Sequence, residues 1–256
     1  MRIELGEIDY YVKHHESRQN AWYLPYCQES RISPTRQEVV QRLCRELCRY
    51  QNYPLWNKEL VESLFTNYQT LTDKLVVLPV VGSETYFDAN IVTHQDNDYL
   101  IVDLLNIADY TSSVNEMCYI LHNLCHVHIL RYLFQQRYEV PSTYAGQLGY
   151  RFFTEGFVQY LSWNEDVRKY RMNDARYMGR KKEAWHMLKA ALHIEGPRIQ
   201  EQVLLMLSRL DLWERFPDVA GMFYCDQNFQ EGGAKQLKRY FDAGFQEIYQ
   251  TFHEAG

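Results

Sequence analysis

SVNEMCYILHNLCHVHILR, residues 113–131, reads as a helix. Ser113 and Glu116 stand at capping-box spacing just before an apolar run, where such a box satisfies the first orphan N–H groups. Within the run His122 and His126 are one turn apart. At about 100° per residue they point only about 40° away from each other, so their ring nitrogens can meet on one metal ion. His128 falls on the far side of that helix and is expected to be structural. Cys125 also leaves the ligand face and is expected to be a small core residue. Core histidines hydrogen-bonded to their neighbours share this spacing, so the surrounding sequence has to carry the distinction.

Outward from that helix, composition sets limits. The chain has 256 residues, 46% of them hydrophobic, enough for one large domain or two small ones around a buried core. The formal net charge is -6 and no long Lys/Arg run occurs. That argues against nucleic acid and against a polybasic membrane patch, and leaves a peptide, a protein or a small molecule as partner. The opening MRIELGEIDYYVKHHESR lacks an apolar h-region, and no later stretch stays apolar long enough to span a bilayer, so a cytoplasmic protein is expected. Six cysteines in a chain of this length are read as reduced and mostly buried, not as a disulfide framework. Cys44 and Cys48, one turn apart, could join His14 and His15 in a second zinc site; the simpler reading is that both extend the apolar stripe of their own helix.

Residues 1–32 show no clean period and are read as irregular or short-stranded. A Thr35/Glu38 capping box opens a helix over 35–50, striped by Val39, Val40, Leu43 and Leu47, and 55–71 continues with the same period after Pro54. Strands are expected at 74–81, 86–94 and 99–105, the last two flanking the turn Asp96-Asn97-Asp98, and Pro79 predicts an edge strand or a bulge in the first. Beyond 111 the chain reads as helical. A linker holding Gly146 and Gly149 leads to helices at 151–163, 174–194, 197–210, 217–229 and 234–252. One domain over 1–256 is expected: a lobe over 1–110 with two helices and a small sheet, and a helical lobe over 111–256 with the histidines.

The strand pair, the helix with His122-Asn123-Leu124-Cys125-His126 and the later Glu155-Gly156-Phe157-Val158-Gln159-Tyr160 together resemble the gluzincin-type zinc metallopeptidases. In that family a strand edge precedes an H-E-x-x-H helix and a following helix supplies a Glu as third ligand. Residues 219–224, VAGMFY, followed by Glu231-Gly232-Gly233 and 237–241, are similar to the C-terminal helices of such peptidases. The resemblance implies an α+β, mainly helical zincin fold with a small N-terminal sheet packed beside the histidine helix. It implies one zinc ion on His122, His126 and Glu155, a peptide or protein in the cleft, and Asn123 where the family has its general-base Glu. Tyr224 and Tyr160 could donate to an oxyanion as tyrosines do in some of these peptidases, but the simpler reading, as two of 21 tyrosines, is preferred. For Glu155 the alternative is a first-turn carboxylate favoured by the helix dipole.

A carboxamide cannot take a proton from metal-bound water. Losing a positioned general base typically costs about 10²- to 10⁴-fold in rate, while zinc would still acidify its water and polarise a carbonyl. Glu116 lies nearly two turns earlier with a capping role of its own, and Glu139 lies past the helix, so neither substitutes. The expectation is a metallopeptidase-like protein that binds zinc, hydrolyses weakly or not at all, and acts through its cleft. Two alternatives stay open: a working zinc hydrolase whose base the sequence does not reveal, and a structural or interaction protein without metal whose two histidines are core residues.

Overall fold

The computed structural model describes residues 2–14, 34–50, 56–82 and 88–245. The elements, in chain order, begin with β1 (Arg2–Ile3), α1 (Gly6–His14), α2 (Pro34–Tyr50), α3 (Lys58–Leu64), α4 (Tyr68–Asp73), β2 (Leu75–Val80), β3 (Ala89–His94) and β4 (Asn97–Asp103). Helices follow: α5 (Leu104–Asp109), α6 (Val114–Gln135), α7 (Tyr144–Ser162), α8 (Glu165–Asn173), α9 (Ala175–Leu192), α10 (Pro197–Arg209), a 3-10 turn at Leu212–Glu214, and α11 (Phe216–Ala243). The fold is mainly helical with one small mixed sheet. The chain divides into two compact units, one of Met1–Leu55 with Asn67–Leu133, the other of Trp56–Thr66 with Phe134–Gly256.

In the first unit the sheet order is β1-β2-β4-β3. β2 runs parallel to β1 and β4, whereas β3 is antiparallel to β4 and forms an edge, with Ile91 opposite Leu100. All six residues of β2 are buried, as suits a parallel strand covered on both faces. Pro79 therefore sits in an interior strand, contrary to the expectation of an edge or a bulge. The reason lies in β1: Glu4 N–H donates to Val77 O at 2.9 Å, so by the two-residue period of a strand Pro79 turns its nitrogen to the same side. The two-residue β1 has already ended there, and the missing N–H leaves no partner unsatisfied.

Three other expectations change in this unit. The strand expected over 99–105 stops at Asp103, which is fully buried and caps α5 by accepting from Leu105 N at 2.9 Å and Asn106 N at 3.2 Å. Its carboxylate also accepts from Gly82 N at 3.3 Å, tying the end of β2 to the start of α5. Residues 6–14, read as irregular or short-stranded, form α1, whose end is held by Gln37 Nε2 donating to Val12 O at 3.1 Å. Residues 15–33 and 83–87 and the Thr35 side chain lie outside the described residues, so the Thr35 box and the start of the strand expected from 86 do too. The third change concerns 55–71, which is two short helices, not one, with Phe65 turned out of helical geometry between them.

α6 starts where the sequence places it. Ser113 Oγ accepts from Glu116 N at 3.4 Å, but the Glu116 carboxylate takes the Thr111 hydroxyl instead of closing the box on Ser113. Near the other end, Tyr132 OH donates to Asp98 Oδ2 at 3.0 Å, linking α6 to the first residues of β4.

The second unit is built around α7, buried over most of its length. The expected linker with Gly146 and Gly149 is instead its first two turns, opened by Thr143, whose side chain accepts from Gly146 N. α7 meets α11 backbone to backbone. A Cβ on Gly221 would lie 1.7 Å from Phe152 O, and one on Gly156 would lie 2.5 Å from Gly221 C. The end of α7 is capped by Asn57, held at φ 59 while its amide donates to Leu161 O at 2.9 Å and Trp163 O at 2.8 Å. Arg168 Nη1 donates to the same side chain at 3.0 Å, so three bonds offset the strain of a non-glycine in the left-handed region. α8, absent from the sequence reading, carries that arginine. Phe134, Phe153, Phe157, Tyr240 and Phe241 form an aromatic core, with Phe157 stacked on Tyr240 at 5.0 Å between ring centroids. α11 breaks at Gly232 and Gly233, where the sequence separates two helices, and the φ of 63 at Gly233 requires glycine.

Gly221→Ala should cost about 3 kcal/mol or more in urea unfolding, because backbone cannot move aside as a flexible side chain can. Gly179→Ala is the control: a Cβ there meets nothing within 4 Å, so alanine in the middle of α9 should stabilise by up to about 1 kcal/mol. Equal effects of the two substitutions would contradict the close crossing.

Candidate metal centre

The site begins with α6. His126 is 2% exposed and His122 half-buried, and the two rings are close enough for the charge of one to bear on the other. Burial pulls His126 down to about 3 from an ordinary 6.5, with His122 adding to the shift. Burial also lowers His122, partly opposed by the Glu46 carboxylate on α2. Both rings are therefore neutral near pH 7, the form in which imidazole binds a metal. Asn123 is half-buried on the same helix, and its carboxamide donates and accepts hydrogen bonds without titrating.

Glu46 was not legible as part of this neighbourhood. Its i, i+3 partner Arg49, 2.6 Å away, makes it read as half of an ordinary solvated pair on a helix, yet its charge reaches both His122 and Cys118. Cys125 is 1% exposed and burial pushes its thiol up to about 12, which suits a core residue and not a thiolate ligand. Burial, then Cys48, raises Cys44 to about 12 as well, in keeping with an apolar stripe; the His14 side chain and His15 lie outside the described residues.

Glu155 belongs to α7 of the second unit and is half-buried. It stands three turns into a helix that starts at Tyr144, so a first-turn dipole does not account for it. Its charge bears on Tyr150 and on Asp218. Asp218 is fully buried and accepts from Arg151 Nε at 3.0 Å and Nη2 at 2.9 Å, while Nη2 also donates to Leu207 O at 3.3 Å. Burial pushes the Asp218 carboxyl up to about 6, Arg151 pulls it back, and Glu155 adds to the push. Tyr224 is half-buried among Phe152, Trp185 and Tyr240, with the Tyr240 ring 4.9 Å away. Tyr160 is fully buried, with the Arg168 guanidinium 4.7 Å over its ring, and its hydroxyl has no hydrogen-bond partner among the described residues. Each tyrosine thus has a packing role within its own unit.

α6 brings His122 and His126 together. Among the described residues, no group of three or more His, Cys, Asp or Glu gathers in a way that could hold a metal ion. No helix among them is long and apolar enough to cross a membrane.

The buried neutral His126 has a consequence for pH. Its folded value lies below its unfolded one, so its contribution is complete above about pH 6.5 and is lost as pH falls toward about 3. In metal-free protein, unfolding free energy should drop by about 2 kcal/mol between about pH 7 and pH 5 relative to His126→Leu. Parallel pH profiles for the two proteins would contradict the burial of a neutral ring.

Compared with protein-family models, curated proteins and solved structures, the chain gives no match.

Proposed function

We propose that the chain is a gluzincin-like metallopeptidase homologue that binds zinc through His122, His126 and Glu155, holds Asn123 in the base position, and takes a peptide or protein in its cleft with weak or no hydrolysis. The observation that carries this reading is the pair of neutral imidazoles one turn apart on α6, one of them held rigidly by burial. The first unit adds support. β3 is an edge strand, antiparallel to its neighbour, and lies shortly before the histidine helix, as a strand edge does in the family the sequence resembles. Zinc, when bound, polarises a carbonyl and acidifies water. His122 and His126 supply its nitrogens without first having to lose protons, and Asn123 orients a neighbouring group but accepts no proton. Five free cysteines among the described residues favour a reducing, cytoplasmic location.

A second reading, a metal-free structural or interaction protein, has its own support. Gly156 is required by the α7–α11 crossing whether or not Glu155 binds anything, and Glu155 already lies in the field of Asp218.

Asn123→Glu, loaded with zinc and assayed on broad peptide libraries, separates the two. Restoring the carboxylate should raise hydrolysis by about 10²-fold or more. A folded, zinc-loaded variant that stays inert would remove the degenerate-site reading. Chelator-sensitive cleavage by the unmodified chain would favour a working hydrolase with a different base.

A further inference from the structure

The second unit holds a cavity of about 280 Å³ between α9, α10, the Leu212–Glu214 turn and the start of α11. Its walls include Met187, Met206, Trp213 and Phe216, and its charged lining residues are Arg180, Glu183 and Glu214. Two of the wall residues are exposed to a degree unusual for large apolar side chains, Met187 at 45% and Met206 at 41%. Trp213 is fixed by Tyr177, 4.4 Å away between ring centroids, and by Trp163 at 5.9 Å. Flexible methionines facing a fixed indole form a wall that adapts to an apolar body.

The charges define what that body carries. Arg180 Nη1 donates to Glu183 Oε2 at 3.0 Å and the pair neutralises itself. Glu214 has no ion pair among the described residues, which leaves the lining with one uncompensated negative charge in a chain that is itself net acidic. We infer that this cavity binds a small apolar ammonium compound: a primary amine on an aromatic or branched aliphatic body, its charge toward Glu214 and its body against Met187, Met206 and Trp213. The volume equals about nine waters at roughly 30 Å³ each, so a ligand of about ten non-hydrogen atoms fills it. The inference stands on the second unit alone and is independent of the zinc reading.

The probes are phenethylammonium, phenylacetate and 2-phenylethanol, which share a body and differ in charge. Each is titrated into the full chain with methyl-labelled methionine, and the Met187 and Met206 signals are assigned with Met187→Leu and Met206→Leu. Phenethylammonium should move both signals with a Kd of about 1 mM or tighter, and should bind about fivefold or more tightly than either other probe. Glu214→Gln, an exposed change that leaves the fold intact, should bring the three probes to within about twofold of one another. Glu183→Gln frees Arg180 and should shift the preference toward phenylacetate. Unmoved methionines at about 20 mM phenethylammonium, equal binding of ammonium and alcohol, or an undiminished ammonium preference in Glu214→Gln would each overturn the inference.

Discussion

Where α7 crosses α11, two backbones touch with no side chain between them. Any Cβ at Gly221 would collide with the Phe152 carbonyl, and any at Gly156 with the Gly221 backbone. The closeness fixes what surrounds it. Phe152, Phe153 and Phe157 on α7 are brought against Tyr224, Tyr240 and Phe241 on α11, and Arg151 reaches Asp218 across the same helix pair. A fully buried carboxylate is tolerated there because a bidentate guanidinium meets it. Of the residues read as peptidase-like in this half of the chain, Gly156 and Gly221 are demanded by the crossing itself.

The sheet-bearing unit rests on a different constraint. Buried Asp103 ends β4 and starts α5 in a single residue, and its third bond, from Gly82, ties that corner back to β2. The parallel run β1-β2-β4 leaves β3 as the antiparallel edge, and Tyr132 fastens α6 to β4 through Asp98. On that anchored helix burial keeps His126 neutral near pH 7. A ring held neutral by burial is destabilising in acid and well prepared for a metal, so one physical fact underlies both the pH behaviour and the zinc proposal.

The sequence made the long apolar elements legible: β2, α6, α9 and α10 lie where periodicity, Pro and Gly place them, while α7 ends as expected but starts two turns earlier, through the glycines read as a linker. Short elements stabilised by tertiary partners were not. α1 gains its end from Gln37 and α8 holds Arg168 against Asn57, both partners distant in sequence, whereas α5 is capped by its neighbour Asp103 directly at the end of an apolar strand. Local propensity carries no trace of such partners. Pro79 misled for a related reason, since its tolerance depends on how soon β1 stops. Around the histidines the helix and its spacing were readable, whereas the Glu46 carboxylate that bears on His122 comes from α2 and announced itself only as a partner of Arg49.

The most direct measurement is X-ray absorption of zinc-loaded protein purified without a histidine tag. Two imidazole nitrogens and carboxylate or water oxygen at about 2.0 to 2.2 Å, with one imidazole lost from that shell in His126→Ala, is the predicted result. A spectrum dominated by sulfur at about 2.3 Å, or no tightly held zinc to measure, would contradict it.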